Sequence, residues 1–311
     1  DRLLSRGLGD VYKRQAPTGI FNLYNKTANF ELATENNEAL VLHTSGTTSR
    51  PKVVPLTNKN IFSSATNIAN SLQLSSQDHC YNIMPLFHIH GLIAVLSSSI
   101  NAGASVYASS GFNALKFLET ADKESITWYS GVPTMHQAIL MRAKKNPKLA
   151  KDLSLRFIRS SSASLPPAVF DELKKIFKTT VIEAYGMTEA THQMTSNPMP
   201  PEKQKAGFVG KPAGPEVCIM DAQGNKLDSG VDGEVCIRGD NVTNGYENNE
   251  EANKTAFING WFRTGDQGHF DDEGYLKISG RLKEIINRGG EKVSPLELSL
   301  IHISEPTRQK P

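Results

Sequence analysis

A short run of residues rich in hydroxyl groups follows an apolar stretch and suits the binding of a polyphosphate. The run reads Leu42-His-Thr-Ser-Gly-Thr-Thr-Ser-Arg-Pro-Lys52. Gly46 lets the backbone approach a ligand closely, the hydroxyls and amides can donate to phosphate oxygens, and Lys52 supplies a positive charge. The run lacks the Gly-Lys-Ser/Thr ending of a Walker A loop, which argues against a P-loop NTPase. Taken alone, such a run is more often a solvated turn.

The composition of the chain indicates a globular enzyme. It has 311 residues, of which 38% are hydrophobic and 21% charged, and this balance excludes a disordered or fibrous protein. The net charge of +2 is too small to favour nucleic acid as a partner. The three cysteines are isolated, so we expect no disulfide framework and a reducing compartment. No apolar stretch reaches the roughly 18 residues that span a bilayer.

The two ends of the sequence differ in character from the rest. Residues 1–15 and 299–311 show no sustained helical or strand periodicity and no targeting pattern. They resemble translated adapter or vector sequence, and we expect both to be non-native tails.

Apolar and amphipathic stretches alternate between residues 39 and 185 and predict an α/β fold. We expect a largely parallel sheet covered by helices. The predicted strands are 39–42, 80–84, 104–107, 126–129, 157–160 and 180–185, and the predicted helices are 58–72, 92–101, 112–121, 134–144 and 167–177. After about residue 210, turn-forming segments separate short strands, which predicts a small β-barrel-like subdomain. Its predicted strands are 216–220, 233–238, 269–270 and 275–279.

Six motifs in a fixed order carry a family resemblance. They are Thr44-Ser-Gly-Thr-Thr-Ser-Arg-Pro-Lys52, Ser160-Ser-Ser-Ala-Ser-Leu-Pro166, Tyr185-Gly-Met-Thr-Glu189, Gly233-Glu234, Trp261-Phe-Arg-Thr-Gly-Asp266 and Gly280-Arg-Leu-Lys-Glu284. Together they resemble the adenylate-forming, AMP-binding superfamily of acyl-CoA synthetases over residues 35 to 298. The resemblance implies a partial AMP-binding domain at 16–282, with a hinge and the start of a truncated C-terminal domain at 283–298. We therefore expect the 311-residue chain itself to have little or no ligase activity.

The resemblance implies ATP, Mg²⁺ and coenzyme A as cofactors or substrates. A carboxylate attacks the α-phosphate of ATP to form an acyl-adenylate, and CoA then displaces AMP. The implied catalytic residues are Lys52, Thr188, Glu189 and Arg281, with Glu189 as the Mg²⁺ ligand. The implied ATP- and AMP-binding residues are Thr44, Ser45, Gly46, Thr47, Thr48, Lys52, Ser162, Ala163, Ser164, Tyr185, Gly186, Met187, Thr188, Asp266 and Arg281.

Each of these residues has a simpler structural interpretation when taken alone. Glu189 could be a solvated carboxylate at a helix start, Asp266 a turn residue and Arg281 a surface charge. Tyr185 would more often belong to the core. The joint order of the motifs is what favours the functional interpretation.

Three histidines suggest which carboxylate is activated. The segments around Pro85-Leu-Phe-His-Ile-His-Gly91 and Met187-Thr-Glu-Ala-Thr-His-Gln-Met194 resemble the oxalate–CoA ligase branch of the family. We expect His88, His90 and His192 to form the substrate pocket, because a second carboxylate needs donors or positive charge in a closed site. Alternatively, His90 caps a helix and His192 bonds a carbonyl. The substrate would then be an aryl or medium-chain acid, as in coumarate–CoA ligase relatives.

The remaining expectations concern motion, CoA and location. The family position of Lys283 is the hinge, and Gly289 and Gly290 lie where the family lines its CoA tunnel. An alternative class is a nucleotide-binding module without catalysis. Cytoplasm is the default location, and a peroxisomal one is compatible with a targeting signal on the native C-terminus.

Overall fold

The computed structural model describes residues 32–44 and 51–284, and the backbone of two short strands, Ile286–Arg288 and Glu291–Val293. Contacts divide the chain into residues 1–34 and 35–311, and all the elements below belong to the second unit. Some predictions lie outside the described residues. They concern the tails at 1–15 and 299–311 and residues Ser45, Gly46, Thr47, Thr48, Gly289 and Gly290.

A hairpin flanks the hydroxyl-rich run. Strands β1 (Glu38–Thr44) and β2 (Lys52–Thr57) pair in the antiparallel sense, and Thr44 lies opposite Lys52. The strand predicted at 39–42 is confirmed, whereas β2 was not predicted. Val54 and Leu56 of β2 are fully buried and alternate with partly buried neighbours, as expected for a strand with one face on the core. The pairing brings the two ends of the run side by side.

Helix α1 (Asn58–Ser71) begins at a capping box. The Thr57 hydroxyl accepts a hydrogen bond from the Asn60 amide nitrogen at 3.2 Å, and Oδ1 of Asn60 accepts one from the Thr57 nitrogen at 2.9 Å. The predicted helix at 58–72 is thereby confirmed, with Thr57 as its cap.

A seven-stranded sheet forms the centre of the fold, in the order β4-β3-β5-β6-β7-β8-β9. Its strands are β3 (His79–Asn82), β4 (Ser105–Ala108), β5 (Trp128–Gly131), β6 (Phe157–Ser160), β7 (Thr180–Met187), β8 (His192–Ser196) and β9 (Lys211–Pro212). The first five strands in this order are parallel, while β8 and β9 join in the antiparallel sense. The prediction of a largely parallel sheet is confirmed.

Both faces of this sheet are buried. Trp128 and Phe157 belong to one hydrophobic cluster, and their neighbours Tyr129 and Ile158 belong to another. Because successive strand side chains point to opposite faces, each strand contributes to both clusters.

Helices cover the sheet, with some departures from the predicted bounds. They are a π-helix at His90–Ser97, α2 (Ser98–Asn101), α3 (Phe117–Lys123), α4 (Pro133–Lys145), α5 (Pro147–Asp152) and α6 (Pro167–Phe177). The helix predicted to start at 112 begins at Phe117, because the Asn113 side chain accepts hydrogen bonds from the Leu115 and Lys116 amides and forms a turn. Helix α5 was not predicted. It begins at Pro147, shortly after the end of α4.

The predicted β subdomain is confirmed as a five-stranded antiparallel sheet. Its elements are β10 (Glu216–Met220), β11 (Gly233–Arg238), α7 (Glu250–Ala256), β12 (Phe257–Ile258), β13 (Trp261–Phe270) and β14 (Leu276–Arg281). Strands β10 and β11 have the predicted bounds. Residues 269–270 lie in a strand as predicted, but that strand is the ten-residue β13, which begins at Trp261. The Thr-Gly-Asp-Gln-Gly segment of β13 lacks apolar alternation, so it carried no strand signal.

None of the helices in the described ranges has the length and apolar character that crossing a bilayer requires.

Candidate functional site

A cavity of about 440 Å³ lies where the end of β7 meets strands β13 and β14. Eight residues that the sequence suggested for AMP binding line it: Ser162, Ala163, Ser164, Tyr185, Gly186, Met187, Asp266 and Arg281. They come from four segments of the chain, at 162–164, 185–187, 266 and 281. The fold therefore assembles them into one concave site.

Tyr185, Asp266 and Arg281 form a hydrogen-bonded group at this cavity. The Tyr185 hydroxyl donates to Oδ2 of Asp266, and Nε of Arg281 lies 3.2 Å from Oδ1. Asp266 and Arg281 are direct partners across β13 and β14, so strand register sets their contact. Burial raises the pKa of Tyr185 well above its usual value, which keeps the phenol protonated as a donor. Each carboxylate oxygen can accept a further hydrogen bond.

Glu183 also lines the cavity and was missed by sequence reasoning. Its Oε1 accepts a hydrogen bond from the Leu165 nitrogen at 2.8 Å, while Oε2 has no hydrogen-bond partner among the described residues. Burial raises the pKa of this carboxyl to about 7. A glutamate in the apolar strand Thr180–Met187 was the signal that could have marked it.

Thr188 and Glu189 lie on a 3₁₀ turn, Thr188–Ala190, directly after β7. Thr188 is partly buried and Glu189 is buried. Oε1 of Glu189 accepts a hydrogen bond from the Tyr246 hydroxyl at 2.8 Å. Tyr246 was not among the predicted site residues.

Lys52 is connected to the same tyrosine. Its Nζ lies 4.3 Å from the centroid of the Tyr246 ring, a cation–π distance. The structure thus brings Lys52 to the ring face and Glu189 to the hydroxyl of one side chain, although 136 residues separate them in sequence. Thr44, the other described end of the hydroxyl-rich run, lies opposite Lys52 on β1.

His90 and His192 are buried together, with ring centroids 5.2 Å apart. Nε2 of His90 lies 2.6 Å from the Ser130 hydroxyl and Nδ1 lies 3.0 Å from the Ser162 hydroxyl, whereas Nδ1 of His192 has no partner in the described part of the chain. Burial, followed by the charge of Arg159, lowers the pKa of both imidazoles well below the usual value. Both rings are therefore neutral near pH 7.

His88 does not join this pair. It is exposed, and its Nδ1 lies 3.5 Å from the His90 backbone nitrogen. The structure brings together two of the three predicted histidines.

Arg159 is a buried cation that sequence reasoning missed. It is fully buried on β6 and donates to the Ser130 hydroxyl at 3.3 Å and to Oε1 of Gln193 at 3.1 Å. It forms no ion pair with any carboxylate of the described residues, and its Nε has no partner there. Burial lowers the pKa of Arg159 to about 9. An arginine inside the buried strand Phe157–Ser160 was the available signal.

Lys283 is exposed just beyond Arg281. Its part in a hinge stays a prediction.

Comparison with known proteins identifies the family. The model of the family described as AMP-binding enzyme matches residues 10–247. The chain belongs to the AMP-binding enzyme family. The α/β fold and the resemblance stated from the motifs are thereby confirmed.

Two curated AMP-binding relatives are oxalate–CoA ligases. The one from Arabidopsis thaliana is 52% identical over 271 residues, which cover 86% of this chain and 52% of the relative. The one from Saccharomyces cerevisiae is 51% identical over 276 residues, which cover 88% of this chain and 50% of the relative. The chain spans about half the length of these relatives.

Solved structures of AMP-binding enzymes have the same fold. O-succinylbenzoate coenzyme A synthetase from Bacillus subtilis, in complex with ATP and a magnesium ion, matches with a TM-score of 0.80 at 31% identity and covers 89% of this chain and 57% of its own. ATP-bound MatB from Rhodopseudomonas palustris matches with a TM-score of 0.81 at 30% identity, covering 88% and 54%.

Proposed function

We propose that this chain forms the nucleotide- and carboxylate-binding part of an ATP-dependent CoA ligase whose substrate is oxalate. A carboxylate oxygen of oxalate attacks the α-phosphorus of ATP, and the bond to pyrophosphate breaks. The sulfur of CoA then attacks the activated acyl carbon, and AMP leaves with the electron pair of the broken C–O bond. The observation that carries the proposal is the convergence of four motifs on one cavity, those at 160–166, 185–189, 261–266 and 280–284.

The cavity has the chemistry of an adenosine site. The neutral ring of Tyr185 offers an aromatic face for adenine, and Asp266 offers two acceptor oxygens for the ribose hydroxyls. Arg281, already beside Asp266, adds positive charge at the same mouth of the cavity. These groups favour an adenosine 5′-monophosphate moiety, which the acyl-adenylate carries between the two half-reactions and which leaves as AMP in the second.

Glu189 fits the role of a single magnesium ligand. Its Oε1 is held by Tyr246 and its Oε2 accepts no hydrogen bond from any described residue. Within the described ranges, no group of three or more His, Cys, Asp or Glu side chains could hold a metal by itself. One carboxylate with phosphate oxygens and water is the usual environment of Mg²⁺ in such sites. When bound, the ion would offset charge on the leaving pyrophosphate.

The buried cluster of Arg159, His90 and His192 supports oxalate as the carboxylate. A buried guanidinium without an anionic partner is costly, and a bound carboxylate would compensate its charge. Nδ1 of the neutral His192 imidazole has no partner in the described part of the chain and can donate to the same anion without adding charge, whereas both ring nitrogens of His90 are already paired with serine hydroxyls. A small dianion that keeps one carboxylate after activation satisfies these groups.

An aryl or medium-chain acid is the alternative substrate. Such an acid needs an apolar pocket. The polar groups of the buried cluster would find no hydrogen-bond partner in the apolar part of such a substrate. The cluster therefore favours oxalate over coumarate or octanoate. Cytoplasmic location and the binding of CoA near Gly289 and Gly290 stay predictions.

The proposal can be tested by ATP–pyrophosphate exchange in a chimera. Residues 35–284 of this chain would replace the aligned segment of the yeast oxalate–CoA ligase, so that the site of this chain is presented in a complete enzyme. We expect exchange with oxalate and little with malonate, coumarate or octanoate. Exchange that depends on octanoate but not on oxalate would refute the proposed substrate.

A further inference from the structure

One loop is hydrogen-bonded both to the strand that carries Lys52 and to the turn that carries Glu189. The Thr243 nitrogen donates to the carbonyl of Glu189 at 2.8 Å, and the Thr243 hydroxyl donates to the carbonyl of Pro55 on β2 at 2.9 Å. The Glu247 nitrogen donates to the carbonyl of Val53, also on β2, at 3.0 Å. The loop 243–247 is thus bonded to both elements.

Tyr246 is the central side chain of this loop. Its backbone is fixed by Asn253, whose Oδ1 accepts from the Tyr246 nitrogen at 2.8 Å and whose Nδ2 donates to the Tyr246 carbonyl at 2.8 Å. Its ring packs edge-on against Phe262, with centroids 6.4 Å apart. The side chain is only 7% exposed. Backbone and ring are therefore both held before any ligand arrives.

The hydroxyl and the ring of Tyr246 contact different residues. The hydroxyl occupies Oε1 of Glu189 and leaves Oε2 available, and the ring face supports the Lys52 ammonium. A hydrogen bond to one carboxylate oxygen fixes the orientation of the other, which is how outer partners tune metal ligands. A cation over an aromatic face is restrained without losing its charge.

We infer that Tyr246 is a positioning residue that fixes the Glu189 carboxylate for a phosphate-bound divalent cation and the Lys52 ammonium for the phosphates themselves. The inference rests on the proposed function, because it assigns Tyr246 to the triphosphate end of that ATP site. It makes two separable demands, one on the hydroxyl and one on the ring.

Calorimetric binding to the 311-residue chain separates these demands. ATP is titrated with Mg²⁺ and, separately, with EDTA, and AMP is titrated as a ligand that lacks the β- and γ-phosphates. For Tyr246→Phe we expect the gain in ATP affinity on adding Mg²⁺ to fall roughly 10-fold, with ATP affinity in EDTA and AMP affinity within about twofold of the original. For Tyr246→Leu we expect weaker ATP binding in EDTA as well, since Lys52 loses its support.

Tyr275→Phe is the matched control. Its hydroxyl donates to the Lys203 carbonyl at 2.6 Å, so this variant also loses one hydrogen bond of a buried tyrosine, one that joins the β subdomain to the segment between β8 and β9. We expect all its nucleotide affinities to stay unchanged. An unchanged magnesium effect in Tyr246→Phe, or equal losses for AMP and ATP, would overturn the inference and leave the proposed function intact. Failure of the unaltered chain to bind either nucleotide would overturn both.

Discussion

The Ser162 hydroxyl lies 3.0 Å from Nδ1 of His90 and joins the nucleotide cavity to the buried histidine pair. Ser162 has a positive φ of 69°, a conformation that turns the chain sharply after β6. His90 continues the chain of contacts through Ser130 to Arg159. A ligand carboxylate at the cluster and a phosphate in the cavity would therefore be served by adjacent parts of one hydrogen-bonded network.

Removing the Ser162 hydroxyl should affect the carboxylate and not the nucleotide. In Ser162→Ala, Nδ1 of His90 loses its described partner while the cavity backbone is retained. We expect the KM for oxalate in the chimera to rise roughly 5-fold, equivalent to about 1 kcal/mol for one neutral hydrogen bond, and AMP affinity to stay within twofold. Equal losses of oxalate and AMP would show that the serine acts only through the cavity wall.

Asp266→Asn should weaken AMP binding strongly. Charge-assisted hydrogen bonds to the ribose become neutral ones, and Arg281 loses its carboxylate partner. We expect AMP affinity, measured by calorimetry on the 311-residue chain, to fall by roughly 10- to 100-fold, or about 1.5–3 kcal/mol. Asp232→Asn is the control, because Asp232 pairs with His269 and Ser279 on the same subdomain. Normal AMP affinity in Asp266→Asn would remove Asp266 from the site.

Arg159→Met should lose oxalate turnover without losing stability. Replacing an unpaired buried cation by an apolar side chain relieves a desolvation cost, although Gln193 loses a donor. We expect the unfolding free energy in urea to change by no more than about 1 kcal/mol, while oxalate-dependent exchange by the chimera is abolished.

Arg156, three residues earlier in the chain, provides the contrast. It precedes β6 and binds both oxygens of the buried Asp78, at 2.9 and 3.0 Å. Arg156→Met should cost about 1–3 kcal/mol of stability by leaving that carboxylate unpaired, with oxalate dependence unchanged. If Arg159→Met unfolds the chain and Arg156→Met does not, Arg159 is a structural residue.

The buried carboxyl of Glu183 makes the stability of the chain depend on pH. Because burial raises the pKa of Glu183 from 4.5 to about 7, the folded chain holds a proton between these values that the unfolded chain has released. The contribution of Glu183 to the unfolding free energy therefore falls as pH rises through this window and levels off above pH 7. This contribution is about 3 kcal/mol at most. Because buried histidines with lowered pKa act in the opposite sense, the measurement compares the original chain with Glu183→Gln, which keeps an acceptor for the Leu165 nitrogen. We expect the difference in their unfolding free energies in urea to decline between pH 5 and 8.

A control for this pH effect is Glu216→Gln. Glu216 is exposed and paired with Arg238, so its loss should leave the pH profile of stability nearly unchanged. A difference between the original chain and Glu183→Gln that does not change with pH would show that Glu183 does not carry the effect.

The sequence predicted the elements with clear periodicity and missed those without it. The strands at 216–220 and 233–238 are short apolar runs between turn-forming segments and were located to the residue. The segment 261–268 contains polar and glycine residues, so its strand is visible only through its pairing with β11 and β14. The Asn113 side chain accepts a hydrogen bond from a backbone amide and so delays the start of one helix. Pro147 begins a separate helix after α4. Neither effect is visible in the spacing of apolar residues.

Residues of the candidate site were predicted where they belong to a sequence motif. Those that join the site only through tertiary contacts were missed. Tyr185, Asp266 and Arg281 were found through the family resemblance. Tyr246 and Arg159 gain their significance from hydrogen-bond partners far away in sequence, Glu189 and Gln193, and no local pattern encodes those contacts. A charged residue within a buried strand is the one local clue that would have pointed to Arg159 and Glu183.

The most direct test of the central claim is mass-spectrometric detection of the thioester product. The chimera is supplied with ATP, Mg²⁺ and CoA, and with equal concentrations of oxalate, coumarate and octanoate. Our account predicts that oxalyl-CoA accumulates together with AMP, and that Arg159→Met abolishes it. Formation of coumaroyl-CoA or octanoyl-CoA without oxalyl-CoA would contradict the account.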